Sequence, residues 1–540
     1  MPSASHTISP TTHAASGPDS GMVTSPHPLA SAAGLAVLER GGTAAEAAIA
    51  IASTIAVVYP HFCGLGGDSV WILADRQGRQ TCFMGIGQAA AKLPEFTGDS
   101  IPLRGPLSTL TTAATVDAWE TVHRYSAEYW GGKQVFGELL QDAIHHAQHG
   151  FPVSRSQGFW LDMRKDVLAD WPGFINLFFN NGQPFAAGEI FRQPELARSL
   201  EDIASHGARS FYQGTLAQRI ADGLRAVGSP ITLADLAATR TRQVEPERLS
   251  YRGLELLAPP PPTQGISTLA IMGILQHFDL SALTPGSAQH LHLVVEAVKQ
   301  AFLTRDRIAD PDFADQPVRE WLSAERLQQA ASAINPDRAL DWPHPYRTGD
   351  TVFFGATDAA GQSVSTLQST YFDWGSGVVV GDTGILWQNR GAAFSLDPKS
   401  PNFLQPGKRP FYTLNPGLAL RDGKPALIYG TQGADGQPQT LAMLLTRLID
   451  YAQPPAQALA GPRFLLGKTF SDSRDSLKIE ADCGQPVLDR LADLCHQLAP
   501  IEPQSPIAGQ AGVIAIAPDG SLVGAHDPRG EGVALTLGER

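Results

Sequence analysis

The chain has 540 residues, of which 43% are hydrophobic, and its formal net charge is −13 at neutral pH. A chain of this length can bury a large core, as two to four domains or as one large unit cut into two subunits. The acidic balance argues against nucleic acid and anionic membranes as partners. It does not argue against a small anionic substrate, which needs only a local cationic pocket.

The four cysteines stand far apart and form no C-x-x-C pair, so we predict neither a disulfide scaffold nor a zinc site; they are Cys63, Cys82, Cys483 and Cys495. The acidic residues show no metal-ligand spacing. No glycine-rich phosphate loop, G-x-S-x-G elbow or H-E-x-x-H motif occurs in the sequence. The sequence therefore predicts no metal and no cofactor.

Residues 1–20 are rich in Ser, Thr, His, Pro and Ala, and they lack the basic start and apolar stretch of a signal peptide. We interpret them as a disordered tail. The most apolar run, 44–60, contains Glu46 and is too short to span a membrane. These features predict a cytoplasmic protein without a membrane partner.

The amino-terminal part begins with two predicted helices, Leu29–Arg40 and Ala44–Val58, the second capped by Thr43. A glycine loop, Gly64-Leu-Gly-Gly-Asp68, then leads into a predicted strand, Ser69–Ala74. The loop fails as a dinucleotide site because it lacks G-x-G-x-x-G spacing and enters a strand instead of a helix.

Further helices are predicted from apolar spacing of three and four; they cover Val135–His149, Pro194–His206, Thr215–Val227, Ser287–Asp306, Gln439–Tyr451 and Pro486–Gln497. On the helix from Ser287, the charges of Glu296, Lys299 and Arg305 suit a solvated or salt-bridged face better than a site.

The stretch Gly349–Val364 predicts a β-hairpin that begins at Thr351. Val352-Phe-Phe354 favours a strand, Asp358-Ala-Ala-Gly361 a turn, and Ser363–Thr370 the second strand. Residues 331–350 contain three prolines, which suits an exposed connector that can open after a cut.

Several motifs follow one another in a characteristic order; they are Gly349-Asp-Thr351, Gly375-Ser-Gly377, Pro406-Gly-Lys-Arg-Pro410 and Gly430-Thr-Gln-Gly433. With this order the chain resembles the γ-glutamyltransferase family of N-terminal-nucleophile hydrolases, from about Gly21 to about Pro528. It is most similar to the oxamate amidohydrolase branch, whose motifs match 387–398 and 435–440.

The resemblance implies an α+β fold, a four-layer αββα sandwich made by both products of a self-cut between Asp350 and Thr351. The large subunit would be 21–350 and the small subunit 351–540. The two would stay together as a heterodimer, which could dimerise further. The protein would be an amidohydrolase, and its small-molecule partner would be an amide substrate.

A hydroxyl needs a base to act as a nucleophile, and a free α-amino group has a pKa of about 7.7–8.0, near working pH. Thr351 at a new amino terminus would supply both groups. By resemblance, Ser369 would hydrogen-bond the nucleophile, and the backbone N–H groups of Gly433 and Ala434 would form the oxyanion hole.

Departures from the family bear on the substrate. The family's arginine for the donor carboxylate aligns with Ile86, and its aspartate for the donor amino group aligns with Ala393. Losing a charged anchor on a buried ligand typically costs about 2–5 kcal/mol. Glutathione is therefore a poor fit.

Arg390 replaces a family glutamine, and its guanidinium fork matches a carboxylate. We hypothesise that it holds the carboxylate of oxamate, which is hydrolysed to oxalate and ammonia as in purine-nitrogen degradation. Further candidates for the substrate pocket are Tyr371, Tyr412, Thr413 and His61.

Alternatives remain open from the sequence. Arg390 fits a structural salt bridge equally well, His61 fits a core histidine, and Arg104 is another candidate cation. Alternative functions are γ-glutamyl hydrolase or transferase activity on glutathione, acylase activity on a dicarboxylic side chain, and a non-catalytic scaffold.

Overall fold

The computed structural model describes residues 13–15, 20–342, 350–467 and 475–537. Within the expected tail 1–20, His13–Ala15 form a strand that pairs with the carboxy-terminal part of the chain. The rest of that tail up to residue 19 lies outside the described residues, as does 343–349 of the expected connector. The tail interpretation is therefore wrong for these three residues.

The α-helices of the described ranges are α1 Pro28–Glu39, α2 Ala44–Val58, α3 Thr115–Tyr125, α4 Gln141–His149, α5 Arg155–Leu168, α6 Pro172–Phe178, α7 Pro194–His206, α8 Thr215–Ala226, α9 Leu233–Ala238, α10 Gly265–Leu275, α11 Ala288–Phe302, α12 Val318–Trp321, α13 Ala324–Ser332, α14 Gln437–Leu445, α15 Pro455–Ala460 and α16 Gln485–Asp493. The strands are β1 His13–Ala15, β2 Met22–Ser25, β3 Asp68–Ala74, β4 Gln80–Gly85, β5 Phe151–Pro152, β6 Phe179–Asn180, β7 Gln183–Pro184, β8 Ile190–Phe191, β9 Arg242–Val244, β10 Glu247–Tyr251, β11 Leu254–Ala258, β12 Asp350–Thr357, β13 Ser363–Tyr371, β14 Val379–Val380, β15 Ile385–Leu386, β16 Gly417–Arg421, β17 Lys424–Thr431, β18 Phe464–Gly467, β19 Ser476–Glu480, β20 Leu498–Ile501, β21 Ala511–Ile516, β22 Leu522–His526 and β23 Val533–Thr536.

Two seven-stranded sheets form the centre of the molecule. The first has the order β1-β22-β21-β17-β16-β11-β10, and the second has the order β23-β2-β12-β13-β3-β4-β9. Neighbouring strands in both sheets are antiparallel. Each sheet takes strands from before and after residue 351, so the two predicted subunits share both sheets.

Three apolar layers hold the sheets and helices together. Side chains from both sheets meet in a central layer, among them Val70, Ile72, Phe353, Leu367, Leu418, Ile428 and Ile514. The apolar helix α2 packs outside the second sheet, against β12 and β13. Helices α10, α11 and α14 pack outside the first sheet. The predicted four-layer αββα sandwich is confirmed, because each sheet buries one face on the other sheet and one on helices.

Local sequence signals place the amino-terminal helices correctly. Helix α2 begins at a capping box, in which Thr43 accepts the Glu46 N–H and the Glu46 carboxylate accepts the Thr43 N–H. The hairpin β12–β13 also agrees with the prediction, with its turn between Thr357 and Ser363.

Other helix predictions were partly wrong. The predicted helix from Val135 begins as a 3₁₀ turn, Phe136–Leu140, before α4. The predicted helix Ser287–Asp306 ends at Phe302, and Arg305 lies in a separate 3₁₀ turn. Glu296 and Lys299 are buried and ion-paired with each other, so the face they share is salt-bridged and not solvated.

Candidate active site

Thr351 is the second residue of strand β12 and is fully buried. Asp350 pairs with Tyr371 of β13, and regular pairing resumes only at Val352, so the ladder is irregular at Thr351. Among the described residues, the Thr351 hydroxyl oxygen has no hydrogen-bond partner. Irregular pairing commonly marks functional sites because it re-aims a side chain and releases it from the ladder.

Ser369 is the candidate partner of the nucleophile on β13. Its hydroxyl accepts the N–H of Tyr371 at 2.7 Å. The contacts of the described residues include no hydrogen bond between the hydroxyls of Ser369 and Thr351. In the uncut chain the Thr351 nitrogen is still part of a peptide bond, so Ser369 as partner of the freed amino terminus stays a prediction.

The glycine loop before β3 packs directly on this strand. A Cβ atom on Gly67 would lie 2.4 Å from the carbonyl oxygen of Ser369, which no side chain allows. The loop ends at Asp68, which is the register partner of Ser369. The glycines therefore permit close approach of backbone to the candidate site, as the sequence predicted for a tight turn.

Arg390 lies in a 3₁₀ turn, fully buried between two tyrosine rings. Its guanidinium carbon is 4.1 Å from the ring centroid of Tyr371 and 4.4 Å from that of Tyr412. One nitrogen, Nη1, donates a long hydrogen bond of 3.5 Å to the Thr413 hydroxyl. The other two, Nε and Nη2, have no hydrogen-bond partner in the described part of the chain.

The guanidinium of Arg390 also has no carboxylate within salt-bridge distance in the described part of the chain. The alternative interpretation, in which Arg390 forms a structural salt bridge, is therefore wrong. Burial lowers the pKa of Arg390, while the nearby Tyr412, Tyr371 and Asp68 raise it. A buried cation with two unused donor nitrogens can bind an anion of matching shape, so Arg390 as the substrate cation stays a prediction.

Asp68 connects to this cation through a tyrosine, and the sequence reading missed it. Its carboxylate accepts the N–H groups of Gly87 and Ala114, both at 3.0 Å, and the Tyr412 hydroxyl at 2.8 Å. The signal was an acidic residue at the start of a wholly buried strand, where charges are rare unless paired.

Burial raises the pKa of Asp68 to about 6, although the charge of Arg390 and the hydrogen bonds oppose the shift. Because the folded pKa lies above the ordinary value, Asp68 favours folding below about pH 4, and this contribution is lost as the pH rises to about 6.

We expect Asp68→Asn to gain stability relative to the wild type over that pH interval, by about 3 kcal/mol for a shift of this size. Asparagine keeps the shape, and the Tyr412 hydroxyl can then donate to the Gly87 carbonyl, 3.2 Å away. Thermal unfolding of both proteins between pH 4 and 7 measures the difference. Asp358, whose pKa is also about 6, is present in both proteins, so its pH-dependent contribution cancels in the difference between their stabilities. A difference that is constant with pH would contradict the prediction.

The loop after β17 carries the candidate oxyanion donors. Gly433 has φ +115°, and Ala434 has φ +43°, in the left-handed region that costs a residue with a Cβ atom. The Gly433 carbonyl accepts the Gly436 N–H at 2.7 Å, which closes the turn. A strained alanine here persists only if its surroundings hold it.

His61 is buried beside the site in an aromatic cluster. Its ring centroid lies 4.0 Å from that of Tyr59, with the two ring planes tilted by 45°. Its Nε2 shares a hydrogen bond of 3.0 Å with the Ser156 hydroxyl. Its carbonyl accepts the Trp374 N–H, while its Nδ1 has no hydrogen-bond partner among the residues that the structure describes. Burial lowers the pKa of His61 well below its ordinary value, so the ring is neutral. These contacts agree with a core histidine, and contact with substrate stays a prediction.

Arg104 is excluded as the substrate cation, because its guanidinium is already engaged. It pairs with the buried Asp373, which also pairs with Arg164, and it donates to backbone carbonyls of the same segment. Ile86 and Ala393 are buried among apolar side chains, so neither position offers a charge.

One group of possible metal ligands occurs among the described residues, formed by His292, Glu296 and His496. The two imidazoles hydrogen-bond each other at 2.8 Å, and Lys299 places its ammonium 2.7 Å from Glu296. These contacts already satisfy the group, and the ammonium takes the place of a cation. Within the same residues, no helix is long and apolar enough to cross a membrane.

Comparison with known proteins identifies the family of the chain. The Gamma-glutamyltranspeptidase family matches residues 30–537. The chain belongs to the γ-glutamyltranspeptidase family. It is thus an amidohydrolase of this family, with which a threonine nucleophile is consistent. The assignment of that nucleophile to Thr351 stays a prediction.

Two relatives of this γ-glutamyltranspeptidase family member are similar over nearly their whole length. The oxamate amidohydrolase proenzyme of Klebsiella pneumoniae is 44% identical over 519 residues, covering 95% of this chain and 98% of that protein. The glutathione hydrolase-like YwrD proenzyme of Bacillus subtilis is 40% identical over 523 residues, covering 96% and 98%. The solved cephalosporin acylase from Bacillus halodurans has a TM-score of 0.88 and 29% identity, covering 99% of this chain and 97% of that one.

Proposed function

We propose that the chain cuts itself between Asp350 and Thr351, and that the mature enzyme hydrolyses a small amide that carries a carboxylate. The proposed substrate is oxamate, and the products are oxalate and ammonia. The observation that carries this proposal is the buried Arg390, which has two donor nitrogens without a partner among the described residues. It lies against the ring of Tyr371, which pairs across the sheet with Asp350.

The proposed cut would produce the fragments 1–350 and 351–540, which interleave in both sheets and would stay together. The unpaired Thr351 hydroxyl is available to attack the Asp350 carbonyl carbon, and hydrolysis of the resulting ester would free the Thr351 amine. Both relatives are named as proenzymes, which supports a processed precursor.

In the mature enzyme the Thr351 oxygen would attack the amide carbonyl carbon while its proton passes to the free amine. The N–H groups of Gly433 and Ala434 would stabilise the tetrahedral oxyanion. The C–N bond then breaks, the amine returns the proton to the leaving nitrogen, and ammonia departs. Water attacks the ester on Thr351, which releases oxalate and restores the hydroxyl.

The substrate carboxylate would accept hydrogen bonds from Nε and Nη2 of Arg390, which form one edge of the guanidinium fork. The ring faces of Tyr371 and Tyr412 fix the plane of that fork. In oxamate the carboxylate is bonded directly to the amide carbonyl carbon. Holding the carboxylate therefore also orients the bond to be cut.

The buried apolar positions of Ile86 and Ala393 support a small substrate over glutathione, since neither can bind the charged end of a γ-glutamyl group. The similarity to cephalosporin acylase supports the fold more than it supports an acylase substrate, because it rests on 29% identity. A role in purine-nitrogen degradation and a cytoplasmic location remain predictions from the sequence.

We expect the matured protein to release ammonia from oxamate faster than it releases glutamate from glutathione, by at least about 100-fold in kcat/KM, as the missing donor anchors imply. Coupled assays of ammonia and glutamate measure the two rates. A screen that includes malonamate, succinamate and glutaryl amides tests the acylase alternative. Faster turnover of glutathione or of a glutaryl amide would overturn the proposed substrate.

A further inference from the structure

Gln264 is a fully buried residue at the start of helix α10, and its amide joins two separate parts of the candidate site. Its Nε2 donates to the Thr413 carbonyl at 2.8 Å and to the Ala434 carbonyl at 2.7 Å. Its backbone N–H donates to the Tyr412 carbonyl at 2.9 Å. One side chain therefore contacts both the segment beside Arg390 and the segment that carries the candidate oxyanion donors.

The orientation of this amide is fixed from the other side. The Gln264 Oε1 accepts hydrogen bonds from Arg305, from Nε at 3.2 Å and from Nη2 at 3.0 Å. Arg305 is also ion-paired with Asp435, the neighbour of Ala434. Because the oxygen faces a cation, both amide hydrogens must face the two carbonyls.

We infer that Gln264 is a positioning residue, which sets the distance between the carboxylate-binding group and the oxyanion hole. The inference rests on the proposed function. The Thr413 hydroxyl accepts a hydrogen bond from Arg390, and Ala434 has the unfavourable φ of +43°. A bridge between their carbonyls holds these two segments in register, and it supplies the support that the strained alanine needs.

The bridge also crosses the proposed cut. Gln264 and Arg305 belong to the fragment before Thr351, whereas Thr413 and Ala434 belong to the fragment after it. The small subunit would therefore receive its working geometry from a side chain of the large one. This gives a chemical reason why the two fragments must remain associated for activity.

Loss of the bridge should affect the chemical step more than binding. The oxyanion forms only in the transition state, so a displaced Ala434 lowers kcat. Arg390 keeps its two tyrosine rings, and Tyr412 keeps its hydrogen bond to Asp68, so the carboxylate site is less affected. A displacement of about 1 Å can cost about 100-fold in rate.

The test compares Gln264→Met with Gln193→Met in the full chain after maturation. Gln193 is equally buried and donates to one backbone carbonyl, that of Val57, on helix α2. We expect kcat of Gln264→Met to fall about 100-fold while KM changes by less than about threefold. Gln193→Met should retain its kcat, although its melting temperature also falls.

A second variant, Gln264→Glu, keeps an oxygen that accepts from Arg305 and removes the two N–H groups that donate to Thr413 and Ala434. It tests the positioning role if Gln264→Met does not fold. The inference is overturned if kcat of the folded variant stays within about threefold of the wild type, or if Gln193→Met loses as much. Each assay uses whichever amide the wild type hydrolyses best. Failure with oxamate would thus reject the proposed substrate without deciding the role of Gln264.

Discussion

Thr351→Ala should leave the protein as one uncut chain of 540 residues without measurable amidase activity. Alanine lacks the oxygen that attacks the Asp350 carbonyl, and the fully buried position tolerates the smaller side chain. Gel electrophoresis and intact mass measure the cut, and ammonia release measures activity. The loss of activity should exceed about 1,000-fold, because nucleophile and base are lost together.

Thr351→Ser is the matched control, since it keeps the hydroxyl and removes one methyl group. It should still give two fragments, and sequencing of the shorter wild-type fragment should begin at Thr351, followed by Val352 and Phe353. A different first residue, or two fragments with full activity from Thr351→Ala, would reject the assignment of the nucleophile.

Arg390→Met should lose about 3 kcal/mol of binding to the transition state for oxamate, which is about a 100-fold fall in kcat/KM. Methionine fills the space between Tyr371 and Tyr412 without supplying a donor. Kinetics with oxamate measure the fall. A neutral amide of similar size should be affected much less, because it does not use the charge.

Stability separates a ligand-binding arginine from a structural one. Arg390 is buried without an ion pair among the described residues, so replacing it with methionine should leave the melting temperature unchanged or raise it. Arg390→Lys keeps the charge but loses the fork and should show an intermediate rate. A lower melting temperature for Arg390→Met with unchanged kinetics would contradict a role in substrate binding.

The features that sequence reasoning predicted correctly are set by neighbours in the chain. Thr43 and Glu46 are three residues apart, so their capping box can be read directly. The hairpin from Thr351 follows from β-branched and aromatic residues around a turn. The order of layers followed from the family resemblance and not from local patterns.

The features that it missed depend on residues far apart in the sequence. Asp68 meets Tyr412 across 344 positions, and Gln264 meets Ala434 across 170. Local periodicity carries no information on such pairs. Charge alone also could not decide between Arg104 and Arg390, since only the fold shows that Asp373 already neutralises one of them.

Strand β12, which holds the proposed cut, has β2 from the beginning of the chain on one side and β13 on the other. If the chain were cut before it folded, the fragment before Thr351 would lack β12 and β13 from the middle of the second sheet. The apolar faces of its remaining strands would then be exposed to water. Synthesis as one continuous chain therefore supplies both fragments in equal amounts and keeps them together while the sheets form. The cut would follow folding, after which the covalent link is no longer needed.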